Sequence, residues 1–536
     1  MPYAPAFRDD PNLQKPKRVD LCISAFAHPY LVGMANVFPA EHPRGGYPEL
    51  MLFATISGIR AWSSMQDGLR HLTEEKVWHR ATKEYAAATG AQGPFPRTAP
   101  TMRVLEGFYA RYAKLSPNER VRISLSFMDT SVAFAVALGQ FTRGVAPDFT
   151  KADHRHIVMG DGSYVAPWSG AQYIQDPVTE ELVVVGSRAT VGKPRIQATR
   201  TDPTFDEKHA IGINHVTLST WTEAGWIILG VDQALGAEKD AAIRLLQACS
   251  QRLGDGLHVI IWDRVLTGHL IGWALSNLRA LVINKSVARE RIDREKPKKG
   301  KKKKDPAITA AAEHEARAMT STRRPRRSPY VKLTTTEAIE KYLAGEPLPL
   351  GTSVYPTTKG HEMVRGVVHH YGPPCADIPC AHDLWVDDGA LVDVVRDPVT
   401  GFQMKVSTAE AITSVPVRLE NGYQLVTTWN LPCHNEDEDT THTFTTVWTP
   451  EPEPNSETQK ALAAMRPISR VDERFSNKHG LRNITESINM WIKSRLSRTR
   501  RAGHLHVEDQ RLDHLAVAHL SNAGTARRAR LLDLLG

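Results

Sequence analysis

The spacing of apolar positions changes character partway along this 536-residue chain. From Leu21 to about Leu115 they recur with helical period, in P-E-L-M-L-F-A-T-I-S-G-I-R-A-W, M-Q-D-G-L-R-H-L and T-M-R-V-L-E-G-F-Y-A-R-Y-A-K-L. The last run follows the Pro100–Thr101 break, which predicts a cap there, and it carries Arg103 and Arg111 among apolar residues. At His156 the pattern turns to strands. H-I-V-M-G-D-G-S-Y-V reads as a strand ending at Asp161–Gly162, where glycine permits a tight exit. E-L-V-V-V-G-S-R-A, N-H-V-T-L-S-T-W-T and G-W-I-I-L-G-V-D are further strands, followed by a helix over 237–253. L-H-V-I-I-W-D-R reads as a buried strand ending at Asp263, then come a helix over about 267–279 and a short strand at 280–285. The predicted order is β-β-β-β-α-β-α-β, with acidic residues at the end of the first strand and just after the fifth. Ligands and catalytic groups of α/β sheets collect at such strand ends.

Near the end of the chain, H-G-L-R-N-I-T-E-S-I-N-M-W-I-K spans His479 to Lys493. Wound as a helix, it brings Arg482, Glu486 and Lys493 within about 40° of one another, with His479 about 20° further round. Leu481, Ile484, Ile488, Trp491 and Ile492 gather opposite. One face is thus suited to burial, and the other carries a histidine, a carboxylate and two cations in line. An ordinary surface helix is the bland alternative.

Composition narrows the picture. A length of 536 residues exceeds one typical domain, and 41% apolar with 24% charged residues is ordinary for a globular protein. A net charge of +8 favours an anionic partner, nucleic acid first. Five scattered cysteines exclude a disulfide scaffold and point to a reducing compartment. No leader pattern and no bilayer-length apolar run occurs, so a soluble, intracellular chain without membrane contact is expected.

The expected organisation is a flexible arm at 1–20, a helical DNA-binding domain at 21–150 and the first part of a catalytic domain at 151–285. A basic linker at 286–329, a β-rich insertion at 330–450, and the second part of the catalytic domain with C-terminal helices at 451–536 complete it. The helical domain suits a helix-turn-helix-like reader, though a plain packing bundle fits equally. The linker's lysine run reads as a solvated segment, with a grip on a phosphate backbone placed slightly ahead of a plain charged tail or, in a eukaryote, a nuclear address. In the insertion, Cys375, Cys380, His382, Cys433 and His434 lack the paired spacing of structural zinc, so ordinary buried cysteines are the favoured reading.

Asp161, Asp263 and Glu486 are the carboxylates with the best case for chemistry. Two Mg²⁺ ions can activate an attacking oxygen and stabilise a leaving one in phosphoryl transfer, and they need only a few convergent carboxylates. A ribonuclease H-like sheet supplies two from strand ends, and a helix packed on it supplies the third.

On these residues the chain resembles the bacterial insertion-sequence transposases of the DDE, cut-and-paste type, whose signature is Y-x2-R-x3-E-x6-K. Arg482-x3-Glu486-x6-Lys493 matches it, with His479 where the tyrosine stands. The D-G-S-Y-V around Asp161 and the W-D-R around Asp263 resemble the family's first two acidic motifs. The resemblance spans roughly 155–500. It implies an α/β chain with a ribonuclease H-like catalytic domain interrupted by a β-rich insertion, and an α-helical N-terminal domain that binds DNA. It further implies two Mg²⁺ ions at Asp161, Asp263 and Glu486, with Mn²⁺ as a substitute. Double-stranded DNA, as transposon ends and target, is the implied partner, held by a homodimer in the bacterial cytoplasm at the nucleoid. His479, Arg482 and Lys493 are the implied phosphate contacts, and Trp429 and Trp448 are candidates for capturing a flipped base, against core packing. The other function classes are a transposase-derived DNA-binding protein without catalysis and a ribonuclease H-like nuclease without strand transfer.

Overall fold

The computed structural model describes residues 18–27, 46–62, 64–151, 153–165, 172–175, 182–185, 213–235, 238–262, 265–266, 269–284, 384–387, 389–396, 403–433, 441–451, 463, 465–469, 472–475, 480–498, 501–502, 504 and 506–532. Asp263, His479, the 286–329 linker, Cys375, Cys380, His382 and His434 lie outside these residues.

The N-terminal region forms α1 (Arg18–Ala27), α2 (Glu49–Ile59), α3 (Met65–Leu72), α4 (Glu75–Thr89), α5 (Met102–Lys114) and α6 (Pro117–Ala137). α3 and α5 follow the predicted spans. Thr101 stands at the N-cap of α5 but makes no side-chain capping bond. The reciprocal cap is instead at α6, where Ser116 and Glu119 satisfy each other's backbone N–H. Every residue of α2 is buried, in keeping with apolar residues on all sides of the helix. Arg111 of α5 pairs with buried Glu49 at 2.6 Å, so this cation serves the fold, while Arg103 is exposed.

A mixed sheet follows, built from β1 (Ile157–Val165), a separate antiparallel hairpin β2 (Gln172–Gln175) and β3 (Leu182–Val185), then β4 (Ile213–Thr222), β5 (Gly225–Leu235), α7 (Lys239–Leu253), β6 (Val259–Ile261), α8 (His269–Leu278) and β7 (Leu281–Ile283). The five-stranded order is β5-β4-β1-β6-β7. β1, β4 and β5 are antiparallel, whereas β6 and β7 run parallel to β1. The predicted strands and helices are present in the predicted order, with two corrections. The 182–185 strand belongs to the side hairpin and not to the sheet. β1 does not end at Asp161–Gly162 but runs to Val165, because Gly162 pairs with Val216 and the long β4 carries the ladder onward.

Among the described residues of 330–450, two three-stranded sheets form. One is β8 (Leu384–Asp387), β9 (Ala390–Arg396) and β10 (Gln403–Thr408); the other is β11 (Glu410–Leu419), β12 (Gly422–Pro432) and β13 (Thr441–Trp448). β12 and β13 alternate buried and less buried positions, the signature of a sheet packed on one face. That face meets α8, where Gly272 lets Trp448 and Pro450 approach closely.

Two helices close the chain, α9 (Arg482–Leu496) and α10 (Val507–Leu531). Every residue of α10 from Leu512 to Ala526 is buried, so this helix lies at the centre of the protein. One of its tasks is to cover the sheet's edge strand β5, whose outward backbone groups need partners. Asn522 accepts from the Ile228 N–H at 2.7 Å and donates to its carbonyl at 2.8 Å, thereby imitating a further strand. Thr525 donates to the Trp226 carbonyl at 2.7 Å and Arg528 to that of Ala224 at 2.6 Å.

The boundary expected at residue 150 does not divide the core. Apolar residues of α1–α5 form one cluster with Ile228 and Val231 of β5, Ile488 and Ile492 of α9 and Leu512–Leu520 of α10. No described helix is long and apolar enough to cross a membrane.

Candidate functional site

Asp161 stands in the middle strand of the sheet, opposite Thr217 of β4, and is 7% exposed. With strand side chains alternating, Met159, Asp161 and Ser163 share one face of β1. α9 packs on this strand. Asp161 Oδ1 accepts the Gly162 N–H at 2.9 Å, and Oδ2 accepts the Asn489 side-chain amide at 2.6 Å.

The burial of α9 follows its sequence pattern with a rotation. Leu481, Ile488 and Ile492 are buried, and Glu486, Ser487, Met490, Lys493 and Ser494 are exposed. Thr485 and Asn489 are buried as well, so the buried face lies about 50° from the centre of the apolar residues, toward the polar stripe. Glu486 and Lys493 therefore flank the seam between helix and sheet. Glu486 lies one turn before Asn489, with a Cβ separation of about 5–6 Å in such pairs. Asp161 and the helix of Glu486 are thus brought together, and Lys493 lies on the same exposed border.

The opposite face of β1 is shaped by Trp262. A Cβ placed on Gly160 would come within 2.0 Å of the fully buried Trp262 ring, whose N–H donates to Glu238 at 3.0 Å. Only glycine leaves space for the indole beside Asp161, and Trp262 immediately precedes Asp263. Gly160→Ala is therefore expected to destabilise the fold by about 1–3 kcal/mol and to shift tryptophan fluorescence. A denaturation midpoint equal to that of the parent would contradict this packing.

Trp429 and Trp448 have a different setting. They are 1% and 5% exposed, and Trp429 donates to Thr446 at 2.8 Å between neighbouring strands. Both belong to the core between the insertion and the main sheet, so they are left out of the site. Cys433 is likewise buried.

Beside Asp161 the sheet face carries histidines. Thr217 and His215 meet His514 of α10 at 3.1 and 3.4 Å. Burial pushes His215 down to about 4, against the opposing help of Gln510 and Asp513, and burial with His215 alongside holds His514 well below its ordinary value. His519, bonded to the Ala25 carbonyl, is also lowered to about 4 by burial, as is His258, which stacks on His156 at 4.1 Å. The folded chain consequently binds fewer protons than the unfolded chain between about 4 and the ordinary 6.5. Stability should fall as pH drops through that window, each of these histidines adding at most about 1.4 kcal/mol per pH unit. Urea midpoints between pH 7 and 4 measure this, and a flat profile contradicts it.

Sequence reasoning singled out neither Asn489 nor Trp262. Asn489 lies about 20° from Arg482 on the helical wheel, which was the available signal. Among the described residues, no group of three or more His, Cys, Asp or Glu side chains gathers as a metal site; Asp263 is not one of them. In comparisons with known proteins, no family model and no curated protein matches the chain.

Proposed function

We propose that the chain is a DNA transposase of the DDE type, with Asp161, Asp263 and Glu486 as the carboxylates of a ribonuclease H-like site. The observation that carries this reading is the hydrogen bond from Asn489 to Asp161. It brings the helix bearing Arg482-x3-Glu486-x6-Lys493 onto the strand bearing the first acid, through the border between the helix's apolar and polar sides. Nothing local to either segment demands that meeting. Sheet order supports the same reading: three antiparallel strands, the first of them central, are followed by two parallel ones. Met159 pairs with Ile261 at the end of β6, and Asp161 follows two residues on in β1.

The donor set fits a hard cation, because carboxylate oxygens suit Mg²⁺ and its retained waters. Bound there, Mg²⁺ would lower the barrier for a water or a 3′-hydroxyl to attack phosphorus. The chain's own contribution is to hold the carboxylates and to grip the DNA. Lys493 on the exposed border of α9, with Arg482 and His479 in the same stripe, suits phosphate oxygens on either side of the scissile bond. His479 stands where the family has tyrosine.

The test uses the full-length protein with Mg²⁺ and DNA carrying the inverted repeats that flank its gene. Metal-dependent cleavage at the repeat ends, followed by joining to target DNA, is expected. Cleavage without joined products would reassign the chain as a nuclease, and DNA binding without any cleavage would make it a non-catalytic DNA-binding protein.

A further inference from the structure

Asn489 is outside the signature that relates this chain to transposases, yet it makes the contact between the two halves of the site. Its position is an unusual one for asparagine. It lies inside α9, where asparagine is a weak helix former, and it is only 6% exposed beside Ile488 and Ile492. A leucine has the same branching and the same number of side-chain heavy atoms, with no polar group to satisfy. The compensating feature is Asp161, whose Oδ2 receives the amide N–H at 2.6 Å while Oδ1 receives the Gly162 N–H.

The chemistry of the donor matters. A lysine or arginine at 489 would hold the carboxylate too, but its charge would compete with a cation for Asp161. A second acid would repel it. The neutral amide restrains the carboxylate's rotation and leaves its negative charge intact, and every carboxylate oxygen keeps further lone-pair capacity. Because Asn489 follows Glu486 by one turn, the same bond also links the strand of one acid to the helix of the other.

We infer that Asn489 is a positioning residue, which orients the Asp161 carboxylate and fixes its separation from Glu486 for a shared divalent cation. This rests on reading Asp161 and Glu486 as a metal-holding pair. Outer partners of metal ligands typically change metal affinity or activity by about 10–100-fold when removed.

The experiment titrates the full-length protein with Mn²⁺ alone, followed by water-proton relaxation, for the parent, Asn489→Ala, Asn489→Leu and Asp161→Asn. Thermal melting of each variant accompanies the titration. Leucine keeps the branched shape and heavy-atom count but cannot donate, so it separates the two roles. Positioning requires that both Asn489 variants weaken Mn²⁺ binding about tenfold or more, and that Asp161→Asn removes it. A packing role alone requires Asn489→Leu to bind Mn²⁺ like the parent, and that result overturns the inference while leaving the metal reading in place. If the parent binds no Mn²⁺, or Asp161→Asn binds it unchanged, the metal reading falls and the inference falls with it. Should Asn489→Ala fail to fold, Asn489→Leu decides the matter.

Discussion

Replacing Asp161 by asparagine is expected to abolish Mg²⁺-dependent DNA cleavage, by about three orders of magnitude or more, while the protein stays folded. The substitution is isosteric, and the amide of Asn489 can turn to pair with an amide as readily as with a carboxylate. Packing is conserved, whereas the charge that would hold a cation is lost. Loss of a metal's stabilisation of transition-state charge is worth several kcal/mol, and each 1.36 kcal/mol is tenfold in rate. Glu486→Gln is the companion variant. Its side chain is exposed on α9, so it should cost little stability and a comparable share of activity. Cleavage assays on repeat-end DNA, with binding measured by gel shift, test both. Parent-like cleavage by either variant would remove that residue from the site.

The second large effect concerns stability and is independent of function. Asp513→Ala should destabilise the protein by about 3–5 kcal/mol, because it strands a buried cation. Arg60, at the C-terminal end of α2, forms an ion pair with Asp513 of α10; their side chains are 7% and 2% exposed. Tyr109 of α5 donates to the same carboxylate at 2.5 Å, and His504 approaches it at 3.4 Å. Arg60 also donates to the Arg495 carbonyl of α9 at 3.0 Å. Burial opposes the charge on Arg60, yet Asp513 and Tyr109 hold it firmly protonated. Removing Asp513 therefore leaves an arginine that can neither deprotonate nor reach water. The double variant Arg60→Met/Asp513→Leu should recover much of the loss, since the uncompensated charge is gone. Urea denaturation of the two proteins measures this, and a loss below about 1 kcal/mol in Asp513→Ala would mean that water reaches Arg60.

The elements that sequence reading located best are those whose signal is local. α3, α5, α7 and α8 match the predicted helices within a few residues, because apolar period and helix-stop residues act over one or two turns. The strands of the five-stranded sheet and most strands of the insertion were equally legible from alternation and turn residues. β1 was cut short because a glycine inside a strand reads as an exit; the pairing of Gly162 with Val216 depends on a strand more than fifty residues away. α10 carried no directional signal at all, because a helix buried on every side has no polar face to orient it.

By itself, the sequence determined an alternation of strands and helices, with the stripe of Arg482, Glu486 and Lys493 along one helix. Both follow from periods of two and 3.6 residues that the chain carries locally. Only the tertiary structure decided which surfaces meet. It turned α9 so that Asn489 reaches Asp161, drew Trp429 and Trp448 into the core and joined the N-terminal helices to α10. Such pairings reflect which buried faces complement one another in shape and polarity across the whole chain. No stretch of sequence contains that information until its distant partner has folded against it.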